Sequence, residues 1–424
     1  MKTLDQEIIY QIFVRNYSDE GKLRNVEEDL KRIKKVGTDI IYLMPLSPIG
    51  EIGRKGTFGS PYAIKDYRKV DDSLGGEAQL ISLCSKAHEM NMKVILDMVF
   101  NHTSRDSILS KEHPEYFYHD KEGRFANKIG NWSDVIDLDH NNDELETYLL
   151  DVLKLYESYG IDGFRFDVAS LIPASFFKKA RKALKKESIL LAECVDTSFV
   201  NEARSINVNA LSNQELLDSG FDILYPYSYF QPLHEYLQSK DKVKLEQFKF
   251  AYQLATASIS KEGRITMSIE NHDRERLASY CHDENFTRSI LMMTFFSKGP
   301  AFVYAGEEYE DKELPNLFEK DVINKKSVDK AYFDFYLSLV NLKKREKNGH
   351  ILQTLIQDSD YDTVLMKNTF LEDKEEYGLF NFSGSKKAFQ IPTGTYKDLI
   401  DNEKIENQTG TIINEKPLWL VKNE

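Results

Sequence analysis

The sequence has few of the residues that mark several classes of protein. Its 424 residues include only three cysteines, Cys84, Cys194 and Cys281, which lie far apart and form no C-x-x-C pair. A disulfide framework and a thiolate zinc site are therefore not indicated, and we expect buried, reduced thiols. No apolar run approaches the roughly 18 residues that a membrane-spanning helix needs. The N-terminus shows no basic segment followed by an apolar core and a cleavage site, so we expect a cytoplasmic protein.

Positive charge is also scarce. The chain carries 56 Lys and Arg against 69 Asp and Glu, which gives a formal net charge of −13 at pH 7. This balance argues against a nucleic acid or a membrane surface as the main partner, and a neutral or cationic substrate fits better. The hydrophobic share of 41% and the charged share of 29% are those of an ordinary globular protein.

Short β-branched and aromatic runs alternate with amphipathic helical patterns through the first 345 or so residues. This alternation predicts a parallel sheet built from βα units. We count eight predicted strands, at 8–14, 40–43, 93–100, 163–167, 189–193, 223–225, 264–269 and 301–304. The predicted helices include 26–36, 77–90, 144–158, 174–185 and 329–346. Eight strands alternating with helices predict an α/β protein with a (β/α)8 TIM barrel.

Two segments depart from this alternation. About 40 polar and aromatic residues follow the third predicted strand, and long loops in compact domains are usually functional. We expect 102–142 to form a small inserted subdomain. After about residue 349 short strand-like pieces with turn residues appear, at 363–366, 377–381, 389–391 and 417–421. The predicted domains are a catalytic barrel at 1–101 and 143–348, the insertion, and a C-terminal β-sandwich at 349–424.

Barrel enzymes build their sites at the carboxyl ends of their strands, and carboxylates follow several predicted strands here. Arg165 and Asp167 lie two residues apart and share one face of the fourth strand. The cation would keep Asp167 ionised, although an ion pair that only stabilises the barrel is the alternative. Glu193 ends an apolar run, a setting that suits a proton donor, and the alternative is a glutamate that caps a helix.

Two further strand ends carry polar clusters. The seventh predicted strand runs into Asn271, His272 and Asp273, which could bind a ligand or only cap the strand. Asp97 lies inside the apolar third strand, close to Asn101 and His102, and needs a buried partner. For Asp97, hydrogen bonding to the loop backbone is as good an interpretation as a role with substrate.

Three carboxylates at one barrel mouth cannot all be charged at low cost, so at least one should hold a proton near neutrality. Cleavage of a glycosidic bond requires this division, with an ionised carboxylate as nucleophile and a protonated one as donor to the leaving oxygen. Spacing alone supports this hypothesis only weakly.

At these residues the sequence resembles the α-amylase superfamily, glycoside hydrolase family thirteen, over nearly the whole chain. The resemblance depends on four motifs in the family's order, at 97–102, 163–167, 193 and 271–273. It implies that Asp167 is the nucleophile, Glu193 the general acid/base, and Asp273 a carboxylate that binds sugar hydroxyls and stabilises the transition state. The other residues that it implies in substrate binding are Tyr62, His102, Arg165, His272 and Arg276.

The resemblance also implies a retaining mechanism, with the two reacting carboxyl groups roughly 5 to 5.5 Å apart. Ser170 and Leu171 stand where many α-amylases have Lys-His, which puts the usual contacts on the leaving side in doubt. Val168 follows the nucleophile, a choice associated in one subgroup with α-1,6 linkages. No cofactor is implied for catalysis. Asn101 matches a ligand of a structural Ca²⁺ ion in many members, but the loop at 16–21 lacks the Asp-rich pattern of others.

The sequence therefore predicts a retaining enzyme that hydrolyses α-1,4 bonds in malto-oligosaccharides. An α-1,6-active glucosidase or a transglycosylase of the same family is the alternative. A metal-dependent barrel lyase would need a strand-end lysine as base, and none is evident. A non-catalytic carbohydrate-binding relative remains the other alternative, against which the three carboxylates argue. The oligomeric state stays open.

Overall fold

The computed structural model describes residues 3–130, 132–280, 283–325, 329–345, 349–356 and 362–422. These residues divide into two compact units. One unit comprises Met1–Ile9, Tyr227–Leu314 and Asn324–Glu424, and the other comprises Tyr10–Pro226 and Pro315–Ile323. Neither unit coincides with a predicted domain, and the predicted boundaries stay a prediction, with residue 348 outside the described residues.

The structure contains strands in both halves of the chain, and its α-helices lie between Val14 and Lys344. The strands β1 to β17 are Ile8–Ile12, Ile40–Leu43, Lys93–Met98, His102–Ser104, Val135–Asp137, Gly163–Phe166, Ile189–Cys194, Ile223–Pro226, Ala301–Tyr304, His350–Ile356, Thr363–Phe370, Glu375–Asn381, Lys387–Gln390, Gly394–Asp398, Lys404–Asn407, Thr411–Asn414 and Leu418–Lys422. The helices α1 to α14 are Val14–Tyr17, Leu23–Glu28, Leu30–Lys35, Gly76–Glu89, Ile108–Glu112, Asp143–Ser158, Ala174–Ala183, Thr197–Ser205, Asn213–Asp218, Phe230–Ser239, Lys242–Ala257, Leu277–Tyr280, Glu284–Phe296 and Lys330–Lys344.

The strands of the barrel form a seven-stranded sheet in the order β8-β7-β6-β3-β2-β1-β9. The ladders from β2 to β8 are parallel, with β2 beside β3, β3 beside β6, β6 beside β7 and β7 beside β8. Helices α4, α6 and α7 connect successive strands of this sheet, and strands β6 to β8 are buried throughout. Strands covered on both faces read as continuous apolar runs, as the sequence does here. The predicted fold class is confirmed.

Two predicted elements differ from the structure. The segment 264–269 forms no continuous strand, because its pairing consists of isolated bridges at Ile265 and Met267, of which Met267 bridges Ala301 in parallel. The Thr266 carbonyl accepts a hydrogen bond from the Tyr229 hydroxyl. The predicted helix at 26–36 is two helices, α2 and α3, that meet at Asp29, whose φ of −95° and ψ of 3° leave the helical region. The Asp29 carboxylate accepts hydrogen bonds from Tyr17 and Arg32.

The C-terminal region consists of antiparallel sheets. Six strands run in the order β10-β11-β12-β17-β14-β15, and β13 pairs with β16 in a second sheet. Side chains from both sheets share one apolar core, to which Leu379 and Leu420 belong from the first sheet and Phe389 and Ile412 from the second. Two sheets that bury one face against each other form a β-sandwich, as predicted.

The insertion after β3 has little regular structure. Strands β4 and β5 pair antiparallel, which places His102 opposite Asp137, and the short helix α5 lies between them. This pairing brings the start and the end of the insertion together and returns the chain to α6.

Two cysteines, Cys84 and Cys194, are buried and free, and Cys281 lies outside the described residues. Burial raises the pKa of the Cys84 thiol to about 12, so this thiol stays protonated at neutral pH. Within the part of the chain that the structure describes, no helix has the length and apolar character to cross a bilayer.

Asp137 gives the insertion a testable pH dependence. Burial is the largest cause that raises the pKa of this carboxyl to about 6 from 3.8, and its Oδ1 atom has no hydrogen-bond partner among the described residues. The folded state therefore binds more protons between these two values, and stability falls as the pH rises through them. We expect Asp137→Asn to stabilise the protein by about 1–3 kcal/mol more at pH 8 than at pH 5.

Thermal unfolding at both pH values would measure this difference. Asp151→Asn is the matched control, since the Asp151 side chain is 55% exposed in a loose pair with Lys154. An equal change in melting temperature at pH 5 and pH 8 for Asp137→Asn would contradict the prediction.

Candidate active site

The sheet register brings charged residues from three strands together. Asp97 of β3 lies opposite Arg165 of β6, and the next ladder pairs Arg165 with Leu191 of β7, two residues before Glu193. Residues two apart on a strand share a face, so Arg165, Asp167 and Glu193 project to the same side of the sheet. Local sequence places each residue on a strand end, and the parallel register places them beside one another.

The Arg165 guanidinium lies at the centre of this group. Its Nη1 atom donates to Asp97 Oδ1 at 2.8 Å, to Asp97 Oδ2 at 2.9 Å and to Asp167 Oδ1 at 3.0 Å. Its Nη2 atom lies 3.0 Å from Glu193 Oε2 in an ion pair outside hydrogen-bond geometry. Burial of the 0% exposed side chain opposes the positive charge, but Asp97 and Glu193 outweigh it and hold the pKa well above its usual value. Arg165 is therefore a permanent cation.

Two tyrosines satisfy the rest of the Asp97 carboxylate. Tyr42 of β2 donates its hydroxyl to Asp97 Oδ2 at 2.5 Å, and Tyr62 donates to the same atom at 3.0 Å. Tyr62 is among the residues predicted to bind substrate, whereas Tyr42 is not among the predicted residues. The sequence offered one indication of Tyr42, which is the single residue with a hydroxyl in the otherwise apolar strand β2. These bonds give Asp97 the buried partners that it needs, but the partners are side chains and not the loop backbone that the alternative interpretation expected.

The Asp167 and Glu193 carboxyl groups bind the same guanidinium. Glu193 Oε2 also accepts a hydrogen bond from the Val168 backbone amide at 2.6 Å. Glu193 Oε1 has no hydrogen-bond partner among the described residues. Both side chains keep a small exposed fraction, 9% for Asp167 and 11% for Glu193. Both carboxyl groups therefore contact a buried guanidinium while a small part of each side chain stays accessible to solvent.

His102 stands next to Asp167 as a neutral ring. Burial lowers its pKa to about 4, so the imidazole carries no charge near neutrality. The Asn101 amide Nδ2 lies 3.2 Å from Nδ1 and can only donate, which leaves the ring proton on Nε2. That Nε2 atom lies 3.8 Å from Asp167 Oδ2. A sugar hydroxyl at Asp167 would meet a hydrogen-bond donor there.

A second group of predicted residues lies in the other unit. His272 Nε2 is 3.2 Å from Asp273 Oδ2, and the Asp273 side chain is 35% exposed, more open than either carboxyl group above. Tyr227 donates its hydroxyl to Asp273 Oδ2 at 3.0 Å and accepts from the Asn271 amide at 2.8 Å. Tyr227 is not among the predicted residues, although it follows β8 directly. That Asp273 meets Asp167 and Glu193 stays a prediction.

Arg276 is held by partners inside its own unit. It donates to Glu270 Oε1 at 2.7 Å and to the Ala305 carbonyl at 2.9 Å, and its guanidinium lies 4.2 Å from the Tyr304 ring centre. The residue is 2% exposed. These contacts favour a structural role within its own unit, and direct contact with substrate stays a prediction.

A calcium ion at Asn101 stays a prediction. Ca²⁺ takes six to eight oxygen ligands, which can come from carboxylates, amides and backbone carbonyls. Throughout the described ranges no group of three or more His, Cys, Asp or Glu side chains is placed to hold a metal ion. The Asn101 amide nitrogen lies 3.2 Å from His102 Nδ1 and orients that ring.

Comparisons with known proteins identify the family of the chain. The family model described as alpha amylase, catalytic domain, matches residues 8–134 and 130–345. A crystal structure of an alpha-amylase from Lactobacillus plantarum is 36% identical, covers 99% of both chains and has a TM-score of 0.89. An oligo-1,6-glucosidase from Heyndrickxia coagulans is 24% identical over 92% of this chain and 82% of its own. An intracellular maltogenic amylase from Bacillus subtilis is 25% identical over 85% and 62% of the two chains.

The ion pairs of Arg165 yield a prediction about stability. Asp97→Asn leaves the guanidinium buried without its bidentate partner, and breaking a buried pair costs about 3–5 kcal/mol. We expect a large fall in the free energy of unfolding, measured by urea denaturation. Asp334→Asn breaks a pair with Lys330 whose side chains are 58% and 89% exposed, so it should cost less than about 1 kcal/mol. Similar losses in the two variants would refute a central role for the buried group.

Proposed function

Because the chain belongs to the α-amylase family of glycoside hydrolases, we propose that it hydrolyses α-1,4-glucosidic bonds in malto-oligosaccharides with retention of configuration. The observation that carries the proposal is the single guanidinium shared by Asp167 and Glu193. A buried cation beside these two carboxyl groups favours the ionised form that the nucleophile needs, and the retaining mechanism then requires a proton on Glu193 for transfer.

The chemistry follows from this pair. Asp167 attacks the anomeric carbon, and Glu193 gives its proton to the glycosidic oxygen as the bond to the leaving sugar breaks. In the second step Glu193 accepts a proton from water, which displaces Asp167 and releases the sugar with its original anomeric configuration. The site contains three carboxyl groups around one arginine. Such negative excess stabilises the positive charge that develops on the sugar ring in the transition state.

Neutral and aromatic residues complete the proposed sugar site. His102 offers its Nε2 proton to a hydroxyl of the sugar beside Asp167, and the Tyr62 ring, fixed through its hydroxyl to Asp97, provides a stacking surface. We place Asp273 and His272 at the same sugar as hydroxyl-binding residues. The open Asp273 carboxylate supports this role. The substrate is an α-linked oligosaccharide.

The names of the relatives support both the main proposal and its alternative. One relative is an oligo-1,6-glucosidase and another an intracellular maltogenic amylase. We retain α-1,4 hydrolysis as the main proposal and an α-1,6-active glucosidase or transglycosylase as the alternative. The intracellular relative also supports a cytoplasmic location.

Products released over time from maltotriose, isomaltotriose and panose test the linkage. We expect maltose and glucose from maltotriose, little reaction with isomaltotriose, and cleavage of panose only at its α-1,4 bond. Glucose released only from the substrates with α-1,6 bonds would refute the α-1,4 proposal. Products longer than the substrate would indicate transfer to a sugar in place of water.

The proposed roles of the carboxyl groups predict distinct kinetics. Glu193→Gln cannot donate a proton, so kcat/KM on maltotriose should fall about 10²- to 10⁴-fold. Because fluoride leaves without a proton, the rate of glycosyl-enzyme formation from maltosyl fluoride should fall far less in this variant than the rate with maltotriose. Asp167→Asn should lose activity on both substrates because no nucleophile remains. Asp151→Asn is the control with unchanged kinetics, and equal losses on both substrates in Glu193→Gln would contradict the role of proton donor.

A further inference from the structure

We propose that the turn 168–171 is a positioning device for the general acid, in which the strained backbone of Val168 holds one oxygen of Glu193. This inference rests on the proposed function of Glu193. It concerns a residue that touches no reacting atom and acts through the carboxyl group alone.

Val168 has a backbone conformation that its side chain disfavours. Its φ of 43° and ψ of 43° lie in the left-handed region, where β-branched residues are rare. Such conformations persist only where surrounding structure enforces them, and they occur at functional sites. Val168 follows directly on Asp167 and begins the short 3₁₀ turn Ala169–Leu171.

An apolar cluster compensates for this strain. The Val168 side chain belongs to one buried apolar cluster with Leu171 from the same turn, Ile129 from the insertion and Val200 from α8. Val168 is 9% exposed and Leu171 6%. The left-handed turn therefore directs the Val168 side chain into a cluster that anchors it, and relaxation of the backbone would withdraw the side chain from that cluster.

The same backbone conformation aims the Val168 amide at the general acid. The amide donates to Glu193 Oε2 at 2.6 Å, and it is the one hydrogen-bond donor to this carboxyl group among the described residues. The turn makes a reciprocal contact, because Ser170 Oγ accepts a hydrogen bond from the Val195 amide at 3.3 Å. Two hydrogen bonds thus connect the turn to the end of β7, one on each side of Cys194.

The two carboxyl oxygens of Glu193 have different surroundings and therefore different roles. Oε2 accepts from the Val168 amide and faces Arg165 at 3.0 Å, so a proton there would meet a donor and a cation. The transferable proton therefore resides on Oε1. Ser170 and Leu171, which replace the Lys-His pair of many family members, are committed to this turn and its cluster.

Three variants separate backbone position from packing. Val168→Ala removes the cluster contact but keeps a penalty for the left-handed region. Val168→Gly removes the same contact and adopts that region without a penalty. Val200→Ala truncates another member of the same cluster. Each variant is first compared with the parent protein by near-ultraviolet circular dichroism and thermal unfolding. Rates of glycosyl transfer are then measured with maltotriose, which needs a proton donor, and with maltosyl fluoride, which does not.

We expect Val168→Ala to lower kcat/KM on maltotriose, relative to kcat/KM on maltosyl fluoride, on the order of tenfold. This is a part of the rate enhancement that a general acid provides. Val168→Gly should restore the ratio of the parent protein, and Val200→Ala should leave that ratio unchanged while lowering stability. A parental ratio in Val168→Ala, or the same altered ratio in all three variants, would overturn the inference. A parent protein inactive on both substrates would instead refute the proposed function.

Discussion

The buried charge of Arg165 is the constraint on which the site depends. A guanidinium at 0% exposure is stable only with compensation, and Asp97, Asp167 and Glu193 supply it from three adjacent strands. Asp97 is the partner with a structural role, since two tyrosine hydroxyls complete its bonding inside the protein. Asp167 and Glu193 keep part of their surface accessible and so remain able to react. One cation thus stabilises the sheet and organises the two carboxyl groups.

Neutral groups limit the cost of this charge cluster. Burial keeps His102 uncharged, so it adds a hydrogen-bond donor beside Asp167 without a second positive charge that would compete for the carboxylates. The Val168 amide likewise provides an uncharged hydrogen-bond donor to Glu193, from backbone in the disfavoured left-handed region. The apolar cluster around that turn contains Ile129 of the insertion, and so the packing of the inserted segment and the position of a reacting group depend on one another.

Much of the fold could be predicted from the sequence, because buried parallel strands leave a plain signal of apolar runs between amphipathic helices. The prediction failed at 264–269, where isolated bridges at Ile265 and Met267 replace a continuous ladder, and at Asp29, where a carboxylate bound to Tyr17 and Arg32 lies at the break between two helices. Periodicity along the sequence reveals neither the extent of a ladder nor the partners of a side chain. The C-terminal sandwich was predictable as strands, but its division into two sheets depends on pairing between distant segments.

The sequence by itself determined which residues stand at the ends of the strands, since the motifs that contain Asp97, Arg165, Asp167 and Glu193 are local and their order along the chain is specific. Only the tertiary structure decided what each of them bonds to. The parallel register set Asp97 against Arg165 and brought the Tyr42 hydroxyl to that pair, and the left-handed turn after β6 directed the Val168 amide toward Glu193. Hydrogen bonds depend on distances of a few tenths of an ångström between residues remote in the chain, and spacing along the sequence carries no such information.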